Sequence, residues 1–228
     1  MYTSAAAPES SGILLDVLCS KKDVNMLKAL SPRRKSKQIG PDDDGRHMSL
    51  EEFDLADGQA GYLYELNKGV IEVTNIPHRS HFAQQSALVE QLMVYKSQNS
   101  EIVRAVGTPD STKVLIETEQ SERHPDVAVY TTPMPDVDEI WSIWVPTIAV
   151  EVVSKTSAKR DYEDKPGEYL AVGISEYWIV DEFKKQMTVL SRYRGTWKDK
   201  IIKPTQKYTT RHLPAFALDL KRVFAFSK

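Results

Sequence analysis

The chain has a single cysteine, Cys19, so it can form no internal disulfide and offers no thiolate cluster to a metal. Its longest apolar stretches are strand-sized and broken by charge, too short to cross a bilayer as a helix. There is no glycine-rich phosphate loop, no dinucleotide fingerprint, no His-Glu-x-x-His helix and no Gly-x-Ser-x-Gly elbow. These absences remove sequence support for the common nucleotide-binding, zinc-hydrolase and serine-hydrolase chemistries. The apolar Gly12 to Cys19 stretch has no basic region before it and is followed at once by Lys21, Lys22 and Asp23. That is unlike a secretory signal, and a cytoplasmic chain without membrane association is expected.

What is present is an ordinary globular composition, 41% hydrophobic and 27% charged, at a length that suits one domain with an appendage. The net charge of -2 conceals a division along the chain. Acids outnumber bases 27 to 11 over residues 40–182, whereas bases outnumber acids 12 to 2 over residues 183–228. An acidic middle beside a basic C-terminal segment suits a metal-dependent enzyme acting on a polyanion, and equally suits basic strands that simply face solvent.

Residues 1–40 read as a flexible arm, rich in Ser, Ala and Pro at the start and ending in the basic run Arg33-Arg34-Lys35. Residues 41–228 read as the folded domain. Ser49 is a natural N-cap with Glu51 and Glu52 in the first turn of a short helix. Tyr62–Leu66 and Val70–Thr74 form a hairpin around Gly69, which can take positive φ. Apolar residues at helical spacing, Phe82, Ala83, Ala87, Leu88, Leu92, Met93 and Tyr95, predict the longest helix over 79–97. Strands follow near 102–106, 113–117, 126–130, 147–153 and 176–180, the last two joined by a helix that ends at Gly173. Strand, helix, strand implies a right-handed crossover and parallel pairing. Antiparallel strands at 187–193, 196–202 and about 207–209 complete an α/β domain with a mixed central sheet.

Two carboxylates stand out because they sit against β-branched runs that belong inside a sheet. Asp126 opens His124-Pro125-Asp126-Val127-Ala128-Val129-Tyr130, and Glu151 interrupts Ile148-Ala149-Val150-Glu151-Val152-Val153. An unpaired charge there is expensive to bury. A hard divalent cation such as Mg²⁺ offsets that cost, with Asp126, Glu151 and the Val152 carbonyl as its oxygen ligands. It would acidify water and neutralise charge on a phosphodiester, and a nearby lysine would assist. The position two after Glu151 is Val153, so no lysine lies on that strand. Lys165 is the candidate, with Lys155 and Lys159 as rivals. Taken singly, Asp126 reads as a strand cap, Glu151 as a buried acid paired with a base, and Glu65 as a hairpin residue paired with Lys68.

The order of these elements resembles the Uma-two family of endonucleases within the PD-(D/E)XK superfamily, over residues 49 to about 224. Its carriers are Tyr64-Glu65-Leu66, Ile71-Glu72-Val73, His81, Pro125-Asp126-Val127, Val150-Glu151-Val152-Val153-Ser154, Asp161 with Lys165 and Tyr169, Gly173, Glu176-Tyr177-Trp178-Ile179-Val180-Asp181, and the closing Leu213-Pro214 and Leu218-Asp219-Leu220. The resemblance implies a restriction-endonuclease-like fold and a metal-dependent DNA endonuclease using Mg²⁺ or Mn²⁺. It implies Asp126 and Glu151 as metal ligands, Lys165 as the catalytic lysine displaced from strand to helix, and Glu65, His81 and Tyr169 in support. DNA as substrate and a homodimer follow by analogy. Pro166-Gly167 directly after Lys165 departs from the family pattern, since proline disfavours α geometry at the residue before it. A nuclease-fold protein that binds nucleic acid with little catalysis is the alternative.

Overall fold

A computed structural model describes residues 36–75 and 78–226. Most of the expected arm, residues 1–35, lies outside them. The strand Gln38–Ile39 (β1) pairs in parallel with Asp57–Gly58 (β2) and buries Ile39, so the folded unit already includes residues assigned above to the arm. Between them lies helix α1 (Leu50–Asp54). Its cap forms as the sequence predicts, with Ser49 Oγ accepting from the Glu52 amide at 3.2 Å and Glu52 reaching back to the Ser49 amide.

The hairpin β3 (Tyr62–Asn67) and β4 (Val70–Asn75) turns through Lys68 and Gly69, both at positive φ, the twist that two-residue hairpins need. Helix α2 (Arg79–Gln98) follows, then β5 (Ala105–Gly107), β6 (Val114–Ile116), β7 (Ser121–Arg123) and β8 (Val127–Tyr130). Next come β9 (Ile148–Val152), helix α3 (Lys165–Val172), β10 (Glu176–Asp181), β11 (Gln186–Tyr193) and β12 (Thr196–Ile202). Short β13 (Lys207–Tyr208), β14 (Leu218–Asp219) and α4 (Leu220–Val223) close the described chain. None of the described helices is long and apolar enough to cross a membrane.

The single mixed sheet expected from sequence is accompanied by a second large sheet and by two two-stranded ones, β1-β2 and β13-β14, so the strand near 207–209 pairs with Leu218–Asp219 instead of joining the central sheet. A six-stranded mixed sheet runs β12-β11-β10-β9-β8-β5, and a four-stranded antiparallel sheet runs β4-β3-β7-β6. Among the strands that sequence reading missed, with the two-residue β1, β2 and β14, is β7, which belongs to the four-stranded sheet. Its Ser-Glu-Arg composition gives no apolar alternation, yet all three residues are buried, because their polar groups find partners there. The chain passes from β7 to β8, and so from one sheet to the other, in three residues: His124, Pro125 and Asp126. The parallel pairing of β9 with β10 and the crossover through α3 are as predicted.

The period of two along β9 sorts its side chains onto two faces. Ile148, Val150 and Val152 pack with Leu88, Leu92 and Tyr95 of α2 and with Leu220 and Val223 of α4. Ala149 and Val153 point the other way, into a cluster with Tyr169 of α3, Ile174, Tyr177 and Ile179. Glu151 is therefore on the face that α3 covers.

Candidate active site

β8 and β9 are antiparallel, with Val127 opposite Val150, so one further step of the same register sets Asp126 opposite Glu151. Cross-strand neighbours share a face, and both carboxylates lie at one end of the sheet beneath α3. Asp126 Oδ2 accepts from the Val152 amide at 2.7 Å and lies 3.1 Å from His81 Nε2 on α2. Burial alone would lower the His81 pKa, but the Asp126 hydrogen bond and charge, with the Val152 carbonyl, raise it.

Glu151 is held from the α3 side. Its Oε1 accepts from Tyr169 Oη at 2.7 Å and lies 2.9 Å from Lys165 Nζ. Lys165 Nζ also lies 3.3 Å from Glu65 Oε1 of β3 and 3.6 Å from Asp161 Oδ1, the last too long for a hydrogen bond. Neither Lys155 nor Lys159 takes that place; both are exposed. Lys68, the other partner considered for Glu65, points instead to Glu119 at 3.6 Å.

The proline after Lys165 is accommodated by a change of helical period. Residues Arg160–Asp164 form a π turn that runs directly into α3. Proline has no amide to donate to the i-4 carbonyl and its ring crowds that carbonyl; widening the preceding turn relieves both problems. Lys165 thus keeps helical φ and ψ and is only 3% exposed. The Pro166 carbonyl accepts from Trp197 Nε1 at 2.8 Å.

Sequence reasoning did not single out Arg123, Glu168 or Ser157. The guanidinium of Arg123 is fully buried and donates to both carboxylate oxygens of Glu168, at 2.7 and 3.0 Å, and to Glu72 at 2.8 Å. It also lies 3.5 Å from Glu65. Glu65 and Glu72 are directly opposite in the β3–β4 hairpin, a like-charge pair that Arg123 makes tolerable. Ser157 Oγ donates to Asp161 Oδ2 at 2.6 Å. Ser157, Asp161, Lys165 and Tyr169 recur every fourth residue, and that spacing on one helical face is the signal that identifies the set.

One ammonium among several carboxylates leaves the charge unequal. Burial would raise the Glu65 pKa, but Lys165, Arg123, the His124 amide and Arg160 hold it at about 2. At Glu151, burial together with Asp126, Asp161 and Glu65 outweighs Lys165 and pushes the carboxyl up to about 8. Asp161 is raised for the same reason, burial first, and its Oδ1 is buried without a hydrogen bond. Lys165 is raised as well, because three acids surround it and outweigh its burial. The end of the sheet at Asp126 and Glu151 is short of positive charge.

That shortage is what a cation would repair. Every side-chain hydrogen bond and ion pair of Asp126 falls on Oδ2 and every one of Glu151 on Oε1, so Oδ1 and Oε2 have no partner among the described residues. Among the described residues no three His, Cys, Asp or Glu side chains converge as a ready cage. Mg²⁺ does not require one, since it commonly keeps several waters and takes one or two carboxylates with substrate oxygens completing its shell. Two carboxylate oxygens of a hard donor set fit that mode. Asp126, Glu151, Glu65, His81, Asp161 and Lys165 all line a cavity of about 590 Å³ between the two sheets and the α2 N-terminus.

The chain from residue 50 to 221 matches the family model Uma2, described as "Putative restriction endonuclease". No curated protein matches the chain. Among solved structures, a "putative nuclease belonging to DUF820" from Anabaena variabilis ATCC 29413 superimposes with a TM-score of 0.65 at 18% identity, covering 79% of this chain and 99% of that one. At that identity the likeness establishes the shared fold.

Proposed function

The chain belongs to the Uma2 family, and on that premise we propose that it is a Mg²⁺-dependent endonuclease that hydrolyses DNA phosphodiesters at Asp126, Glu151 and Lys165. The observation that carries this reading is the convergence of two cross-strand carboxylates and one buried ammonium at the floor of a single cavity. Asp126 Oδ1 and Glu151 Oε2, with the Val152 carbonyl at the same strand end, are the oxygens that would hold Mg²⁺. Bound there, the ion supplies Lewis-acid stabilisation of charge on the phosphate.

The protein's own groups do the rest. The Val152 amide and His81 fix the rotamer of Asp126, and Tyr169 fixes Glu151, so neither acid must reorganise when substrate arrives. Lys165 Nζ is held by ion pairs with Glu151 and Glu65 at the edge of the cavity, where an ammonium can also donate to a water or a phosphate oxygen. Its fixed positive charge opposes the negative charge that builds on phosphorus as water attacks. Glu65 and Asp161 hold the ammonium from two further sides.

The test is conversion of supercoiled plasmid to open circle in Mg²⁺ or Mn²⁺, with EDTA as control and Asp126→Ala and Glu151→Ala beside the wild type. Nicking that needs the metal and vanishes in both variants supports the reading; nicking that persists in both rejects it. A second reading rests on the tight engagement of Lys165 by Glu151 and Glu65: the ammonium is then only a counter-ion, and the protein a nucleic-acid-binding module. Salt-sensitive DNA binding with no nicking in either metal selects it.

A further inference from the structure

The turn Glu182–Lys185 between β10 and β11 stands at the same end of the sheet as Glu151 and Val152, because β10 runs parallel to β9 with Val180 beside Val152. It is tied to both walls of the cavity. On one side, Glu182 accepts from Ser80 Oγ and Gln84 Nε2 of α2, each at 2.9 Å, on either side of His81 in the chain. On the other, Lys184 Nζ lies 3.7 Å above the ring of Tyr162, within the π turn between Asp161 and Lys165. Tyr162 Oη donates to Asp181 Oδ2 at 3.0 Å, and Asp181 Oδ1 accepts from the amides of both Phe183 and Lys184 at 2.9 Å.

A turn fixed by so many bonds holds Phe183 outward, 53% exposed, where burial gives it nothing. Lys184 and Lys185 follow it directly, and Lys203 stands at the end of the turn, donating to Gln186 at 3.1 Å. Glu182, bound by neutral donors, and Asp181, 3.7 Å from Lys184 Nζ, both keep their charge, so three lysines against two acids leave the turn only modestly positive. An exposed aromatic ring amid lysines is the composition that binds unpaired nucleotides: the ring stacks on a base and the cations follow the backbone. A fully paired duplex offers the same phosphates and no free base face.

Resting on the nuclease reading above, we infer that Phe183 is a base-stacking contact, with Lys184, Lys185 and Lys203 on the neighbouring phosphates, and that the preferred substrate carries unpaired bases beside the cut. The class comprises single strands, bubbles and flaps rather than intact duplex.

The test is fluorescence anisotropy of labelled single-stranded, bubbled and fully paired DNA in Ca²⁺, which allows binding without requiring turnover. It compares wild type with Phe183→Ala, Phe183→Trp and Phe183→Leu, with circular dichroism confirming that each variant folds. Phe183→Ala and Phe183→Leu are expected to weaken binding of single-stranded and bubbled DNA by about fivefold or more, Phe183→Trp to retain it, and the duplex to change by less than about twofold. Equal losses on all three DNAs, no loss in Phe183→Ala, or full retention by Phe183→Leu would overturn the inference. Cleavage in Mg²⁺ is scored separately, so a protein that binds with this pattern and never cuts rejects the nuclease reading alone.

Discussion

Lys165 Nζ lies 2.9 Å from Glu151 Oε1 across the gap between α3 and β9, with both residues buried. A second carboxylate lies within salt-bridge reach in Glu65, and a third in Asp161. Replacing the ammonium by an apolar group of similar length therefore strands three buried acids. Lys165→Met is predicted to cost about 3–5 kcal/mol of stability, as breaking a buried pair does, and to abolish nicking. Urea denaturation and the plasmid assay check the two halves independently.

Arg123 makes a different prediction, because its guanidinium faces Glu168, Glu72 and Glu65 rather than the open cavity floor. Arg123→Met is predicted to destabilise by about 3–5 kcal/mol, because the four-stranded sheet loses the ion network that ties it to α3. Arg123→Lys recovers only part of that, since one ammonium cannot reproduce the bidentate contact with Glu168. Chemical denaturation midpoints at constant m value measure both.

Much of this was legible in the chain. Charges set in β-branched runs marked Asp126 and Glu151, and the Gly173 stop and the hairpin at Gly69 were read from residue type. Arg123 and β7 were not, because Ser121-Glu122-Arg123 looks like solvent-facing polarity until Glu168, from 45 residues further along, is brought against it. The inner face of α2 misled for the same reason. Hydrophobicity places Phe82 inward, yet it is 64% exposed, while Gln84 and Gln91 are buried with Glu182 and the Asp219 backbone as partners. Periodicity reports apolar burial and is silent where a polar group is buried with a partner distant in sequence.

The raised Glu151 pKa gives a pH prediction with a definite sign. Its folded-state value of about 8 exceeds the ordinary 4.5, so the folded protein holds a proton that the unfolded chain releases. That contribution to stability is fully present below 4.5 and is lost as pH rises to about 8. Glu65, depressed to about 2, works oppositely and only at acid pH: its contribution is present above 4.5 and lost as pH falls through about 2. Thermal melts are predicted to show stability lost between pH 4.5 and 8 in wild type and a flatter profile in Glu151→Gln. The stabilisation added by Mg²⁺ should grow over the same interval.

Tyr169→Phe removes the hydroxyl that donates to Glu151 Oε1 at 2.7 Å and leaves the ring, which packs edge-on against Tyr177. A hydrogen bond to a charged acceptor contributes about 1.5–3 kcal/mol, and its loss should move the Glu151 midpoint still higher. The rate profile against pH then shifts to the alkaline side. A structural role for Tyr169 alone would lower stability without that shift.

The central claim is that two strand-borne carboxylates, opposite each other in β8 and β9, hold one divalent ion. Mn²⁺ titration followed by electron paramagnetic resonance tests it without reference to turnover. The account predicts saturable binding to the wild type that is lost in Asp126→Asn and in Glu151→Gln, with both variants folded. Binding of undiminished affinity in both variants would contradict it.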